Sequence, residues 1–431
     1  MMRLTRSLQA LLALGTPLLL VACVDEDPTD VGDALLSGND VVTFEVVLPA
    51  SEFLLNDTAF SGYVKPIDAA FAVVANSFEN VLDANTLFRF SLPPRTIVVR
   101  TTGTTTAIDS APRFVSGRVV VRFDTLTATP RPLTLRLFQT TEAWDPSATW
   151  INRVDTSSVQ LPWSTPGGTR GPQIDTATWA AGDSVVFDVD SATLAVWNDS
   201  TNQSRGAILI SDTDGSRARV IGTVVHVDAR SSIRADTVVN VDLVPTIRTF
   251  VYNPVLPTPF SGIRIGGIHA WRSILRLRPD LRSLVFPCTG RPAGCTVSLD
   301  SVHVNTAELL LPPLQTPPGF LPEDSLFIEA RPLSLAAQVP LERSPVGSFA
   351  ATVRSPLLAP TLFSSPTATD LVKLNITALM VHLLDESVAE EDRVPPFLAL
   401  LQLPEGGTFG FASFGEPLLR LVLTTSIQGG P

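Results

Sequence analysis

Gly117-Arg118-Val119-Val120-Val121-Arg122-Phe123 and, ten residues on, Leu133-Thr134-Leu135-Arg136-Leu137-Phe138 decide the fold. In an extended chain, successive side chains point to opposite faces. Each run therefore gathers aliphatic residues on one face and places Arg or Thr on the other. A sheet with one apolar face needs a second layer to cover it. The expectation is an all-β sandwich. Short apolar or alternating runs, punctuated by 36 prolines and 26 glycines, continue the pattern along the 431 residues.

With 31 basic and 42 acidic side chains, bulk charge gives no attraction for nucleic acid or an anionic lipid surface. The length is too great for one compact core and suits two domains of about 200 residues each. Landmarks recur in order along the chain. Thr43-Phe44 with Val46-Val47-Leu48-Pro49 is echoed by Thr249-Phe250 with Val255-Leu256-Pro257, and Ala59-Phe60-Ser61-Gly62 by Pro259-Phe260-Ser261-Gly262. Further on, Leu87-Phe88-Arg89-Phe90 parallels Ile274-Leu275-Arg276-Leu277, and Val186-Phe187-Asp188-Val189-Asp190 parallels Lys373-Leu374-Asn375-Ile376-Thr377. Each half closes on an alternating strand, at 220–227 and 418–424. Two tandem jelly-roll-like β-sandwich domains are expected, at 43–245 and 246–431. Helical character is confined to two short segments, 191–197 and 376–384.

The N-terminus supplies an address. Arg3 and Arg6 precede an apolar run over 8–21, which ends in Leu20-Val21-Ala22-Cys23. These are the parts of a secretory signal with a lipobox. The run is too short for a span, which needs about 20 apolar residues. Residues 1–22 therefore read as a lipoprotein signal peptide, Cys23 as the lipidated first residue, and 23–42 as an acidic flexible linker. Val24 occupies the position of an inner-membrane retention aspartate, which points to the outer membrane of a bacterial envelope. Of the three cysteines, Cys288 and Cys295 remain, and their spacing around a Thr-Gly-Arg-Pro-Ala-Gly turn suits a disulfide in an oxidising compartment. A metal site is the rival reading, but neither a second cysteine pair nor a histidine pair completes the ligands.

Residues 87–228 resemble the bacterial surface domain called the DNRLRE or disaggregatase-related domain. The match runs through Phe88-Arg89-Phe90, 133–138, Glu142-Ala143-Trp144, Ala148-Thr149-Trp150-Ile151-Asn152, Trp163 with Pro166-Gly167-Gly168, and Phe187-Asp188-Val189-Asp190 before Trp197. The resemblance implies a jelly-roll sandwich classified among carbohydrate-binding modules. The second half keeps only the later part of the pattern, from Asn375-Ile376-Thr377 to Ser413-Phe414, and lacks the tryptophan region. Val31-Gly32 through Asn39-Asp40 is similar to a family of outer-membrane lipoproteins of the same architecture.

Five of the six tryptophans fall between positions 144 and 197. Trp150 and Trp197 sit on the structural pattern and read as core. Trp144, Trp163 and Trp179 lie in turn-rich sequence, where indole faces would stack on sugar rings. Asp212-Thr213-Asp214-Gly215 is a weak calcium candidate, without the long ligand series of an EF-hand, and reads better as an Asp-Gly hairpin tip. Asp188 with Asp190, or Glu390 with Glu391, invites a glycosidase reading. Such acids are ordinarily solvated. His226, His269, His303 and His382 are scattered, and no nucleophile elbow, Walker loop or dinucleotide fingerprint occurs. The expectation is a protein without enzyme activity or cofactor, lipid-anchored in the envelope and binding polysaccharide. A structural role with envelope protein partners is the alternative.

Overall fold

The computed structural model describes residues 39–126, 132–254, 259–287, 296–334, 336, 338–347, 353–385 and 396–428. Cys23, Cys288, Cys295, Glu390 and Glu391 lie outside these residues. The chain is built almost wholly of antiparallel strands in two sandwiches.

The first sandwich is a ten-stranded sheet folded over on itself. Its end strands, Arg170–Trp179 and Ser184–Asp190, are consecutive in the chain and touch, with the Asp188 amide donating to the Asp175 carboxylate at 2.8 Å. In strands Arg113–Phe123 and Leu133–Thr140 the expected alternation holds. Val119, Val121, Phe123, Leu133, Leu135 and Leu137 point into the core, whereas Arg118 and Arg122 face water. Helices form at Ser191–Asn198 and Thr377–Leu384, the two segments expected, and single turns form at Ala50–Phe53 and Thr361–Ser364, which were not expected. Asp190 caps Ser191–Asn198 by accepting from the Thr193 amide at 2.8 Å.

The second sandwich corrects the expected domain boundaries. Strand Asn39–Pro49 pairs with Leu418–Gln428 in a four-stranded sheet with His303–Leu311 and Val372–Asn375. Strand Leu54–Phe60 lies inside the facing six-stranded sheet, between Phe260–Ser261 and Arg272–Leu277. Conversely, Pro245–Asn253 pairs with Leu82–Phe90 in the first sandwich. A strand belongs to the sheet that satisfies its backbone groups. The first sandwich is therefore inserted between residues 60 and 260 of the second, and the split at 245–246 does not hold. The two echoed motifs lie side by side, with Ala59 opposite Phe260 and Thr58 opposite Ser261.

The sandwiches meet through buried aromatic rings. Phe78 packs edge-on against Phe320 at 5.4 Å and Phe409 at 5.8 Å, and Phe320 stacks on Phe409 and Phe411. Beside them Glu323, nearly enclosed, pairs with Arg217 at 3.0 Å and accepts from the Phe409 amide at 3.0 Å. The Arg217 guanidinium lies 4.2 Å from the Phe409 ring centroid. Burial lowers its pKa, and the Glu323 carboxylate opposes that shift. Removing one partner of such a pair strands a buried charge and costs about 3–5 kcal/mol.

Candidate functional site

The sequence directs attention first to the tryptophans. Strand Ala207–Ser211 is buried on both faces. Ala207 and Leu209 point into the main core with Phe88, Phe250 and Tyr252, while Leu87, Ile208, Ile210 and Val251 point the other way. That outer face is covered by the excursion over residues 141–169. Trp144, Ala148 and Trp163 supply its apolar underside, with Trp150 partly buried against them. Trp163 donates from Nε1 to the Thr149 carbonyl at 2.9 Å. The Arg89 guanidinium lies over the Trp144 ring at 4.5 Å and donates to its carbonyl. Burial lowers the Arg89 pKa, with Arg205 adding to the shift. Gly167, at φ +85°, fits under Trp150: a Cβ there would come within 2.9 Å of the indole. Trp179 stacks on Phe123 at 4.5 Å in the main core and donates to the Gly182 carbonyl at 3.1 Å.

Relative exposures of 3% for Trp144, 4% for Trp163 and 0% for Trp179 leave no indole face open to a sugar ring. The expected stacking groove is corrected by the packing: these residues hold a loop to a sheet and a sheet to its core. Trp197, expected in the core, is there at 2%.

The remaining sequence candidates do not converge. Asp212 pairs with Arg136 at 2.5 Å, and Gly215 turns the chain at φ +65°. The Asp-Gly tip is a turn, but the strands on either side pair with other neighbours and not with each other. Asp190 is spent on its helix cap, and its carboxyl pKa is lowered by the Thr193 hydrogen bonds. His226 meets Asp242 at 2.6 Å on the surface. His269 sits, mostly covered, between Tyr252 and Trp271. Among the described residues no group of three or more His, Cys, Asp or Glu side chains is placed to hold a metal ion.

A cleft of about 690 Å³ is lined by Val353, Arg354, Asn375, Thr377, His382 and Asp385, among others. Arg354, Asn375 and Thr377 serve the fold. Arg354 pairs at 2.9 Å with the fully buried Glu329, and Asn375 accepts from the Thr377 amide at 3.0 Å and hydroxyl at 2.7 Å.

A feature the sequence did not single out is the hairpin Ile97–Thr102 with Thr105–Asp109. Its inner face sets Ile97 and Val99 against Ala229. On its outer face the cross-strand pair Val98 and Ile108 is 62% and 73% exposed. Two devices pin it to the loop over 231–234. The buried Asp109 carboxylate accepts from the Ser231 hydroxyl at 2.9 Å, from the Ser232 amide and hydroxyl at 2.6 Å each, and from the Ala111 amide at 2.9 Å. These bonds, the Ser232 hydroxyl first, hold its pKa well below the usual carboxylate range. Arg234 donates to the Thr101 carbonyl at 2.8 Å. Ile97-Val98-Val99 shows no alternation, so only Gly103, at φ +56° in the turn, signalled a hairpin.

The second sandwich offers a different surface. The outer face of its four-stranded sheet carries a ladder of polar groups: Thr43 to Thr424 at 2.8 Å, Asn305 to Thr424 at 2.5 Å, and Arg420 between Glu45 at 2.7 Å and Glu308 at 2.8 Å. No protein-family model matches the chain, and no curated protein matches it.

Proposed function

We propose that this is a non-catalytic lipoprotein of the bacterial envelope, held by acylated Cys23, that uses its rigid double sandwich to engage another envelope protein. The observation that carries the reading is the pinned hairpin bearing Val98 and Ile108 outward while the tryptophans are packed away. An ordered aliphatic pair on a fixed strand loses little entropy on docking and favours an apolar protein surface over a hydrated glycan. The signal and lipobox support the location, and no described helix is long and apolar enough to cross a membrane. The test is cross-linking in intact envelopes followed by purification in mild detergent, comparing the native chain with a Val98→Thr, Ile108→Thr variant of equal melting temperature. A defined protein captured by the native chain and lost by the variant is expected. Recovery of the native chain alone, repeatedly, would sink the proposal.

Polysaccharide binding is a second reading, favoured by the polar ladder on the four-stranded sheet. Hydroxyl, amide, carboxylate and guanidinium groups there suit sugar hydroxyls. Glycan-array binding lost in Arg420→Ala would support it, and silence of the native protein would remove it.

A further inference from the structure

Among the described residues, the four-stranded sheet ends on the strand Asn39–Pro49. Asn39–Pro49 pairs with Leu418–Gln428 along its whole length without a register shift, and no described residue pairs with its other edge. The other edges of the second sandwich's two main sheets are short: Phe260–Ser261 and Val353–Arg354 have two residues each and Val372–Asn375 has four. Long edges are normally blunted by charged side chains, lysine above all, by proline or by a bulge. Here there is no lysine or register shift, the one proline closes the strand at Pro49, and the Glu45 carboxylate is paired with Arg420 of the neighbouring strand at 2.7 Å. Val41 and Val47, on the outer face, are 70% and 48% exposed.

We propose that this edge is a homodimer interface, in which Asn39–Pro49 pairs antiparallel with the same strand of a second copy about a two-fold axis at Phe44. The strand's own sequence selects the occupant and the register. Residues that share a face must oppose residues of the same face, so the axis passes through a residue. With the axis at Phe44, Val41 lies opposite the second copy's Val47 at both ends, Thr43 opposite Glu45, and Asp40 opposite Leu48. Both exposed valines gain an apolar cross-strand partner and no like charges meet. Moving the axis to Glu45 sets two carboxylates against each other. An axis at Thr43 puts Val41 against Glu45 and Val47 against Asn39. The Phe44 register alone of these three joins the valines, and it extends two four-stranded sheets into one of eight.

This contact is made by the second sandwich, whereas the Val98–Ile108 hairpin packs on the first, so it stands or falls independently of the heterologous partner. The test uses the full chain in detergent. Val41→Cys and Val47→Cys chains are made separately, mixed, mildly oxidised and compared with each chain alone and with the native chain, whose own cysteines set the background. Opposed residues meet the roughly 7 Å Cα limit for a disulfide, whereas two copies of position 41 would lie about 20 Å apart. The mixture should therefore give at least about tenfold more cross-linked dimer than either chain alone. Val47→Lys should reduce the native dimer mass to that of a monomer while melting as the native chain does, and hairpin-dependent partner capture should persist. A monomeric mass for the native chain, or equal cross-linking by Val41→Cys alone, would overturn the proposal.

Discussion

The two sandwiches treat their outer sheet faces differently. In the first, the excursion over 141–169 lays Trp144 and Trp163 across Leu87, Ile208, Ile210 and Val251, so that strand Ala207–Ser211 is buried on both sides. In the second, the four-stranded sheet keeps one face bare, with Glu45, Arg420, Glu308 and the Thr43–Thr424 pair in its middle. They also differ in chain path. The first sandwich is continuous, whereas the second is assembled from both ends of the described chain around it. Aromatic density in the sequence therefore marks where a face is closed, while the aliphatic hairpin and the polar ladder stay exposed among the described residues.

The strongest way to break this comparison is to cut the chain at the boundary expected from its repeats. A fragment of residues 246–431 lacks Phe44, Leu48 and Phe53 from its core and leaves Arg272–Leu277 without its Leu54–Phe60 neighbour. It should show no cooperative thermal transition and no near-ultraviolet circular dichroism. Joining residue 60 to residue 260 by a short Gly-Ser linker, in a chain starting at residue 39, should restore both, because Ala59 and Phe260 already lie side by side. A cooperatively folded 246–431 fragment would show that the inserted arrangement is not required.

Next in size is the contrast between two tryptophans that the sequence grouped together. Trp179→Ala removes a ring from the main core, where Phe123 stacks on it, and should cost about 3–5 kcal/mol of global stability. Trp163→Ala strikes only the excursion's hold on the sheet, and the excursion can detach while the sandwich stays folded. Its main effect should be faster amide exchange over 141–169, with a smaller fall in denaturation midpoint. Equal global losses for the two would mean that the excursion belongs to the same cooperative unit as the core.

These residues also show what the chain discloses locally. Val119, Val121 and Phe123 alternate with Arg118 and Arg122, and their burial follows, because a half-wet strand writes its two faces into consecutive residues. Ala207–Ser211, buried on both sides, has no alternation to read. Arg217-Ala218-Arg219 reads as a wet strand yet is enclosed, since its charges are met by residues distant in the chain: Glu323, 106 positions along, pairs with Arg217, and Asp124 pairs with Arg219 at 3.3 Å. Membership of Asn39–Pro49 in the second sandwich depends on hydrogen-bond partners near the opposite end of the chain. Pairing over that separation leaves no local signal. The tryptophans stand out in the sequence by their density, but whether an indole is open or covered depends on what folds over it.

The smallest expected effect concerns the junction of the sandwiches. His269 sits between Tyr252, whose ring is 5.1 Å away, and Trp271, at 6.2 Å. Burial, with Arg264 adding repulsion, lowers its pKa from 6.5 to about 4. The folded protein thus keeps the imidazole neutral while the unfolded chain protonates it at about pH 6.5. Between pH 6.5 and 4 the unfolded state binds the extra proton, so the stability contributed by the neutral ring is complete above this window and lost as pH falls through it. The full shift corresponds to about 3 kcal/mol, and partial exposure of the ring reduces it. Melting temperatures measured from pH 8 to 4.5 should fall more steeply for the native chain than for His269→Gln, which has no proton to gain. Carboxylates common to both proteins cancel in that difference. Parallel curves would mean that the junction opens to water and lets His269 titrate as it does in the unfolded chain.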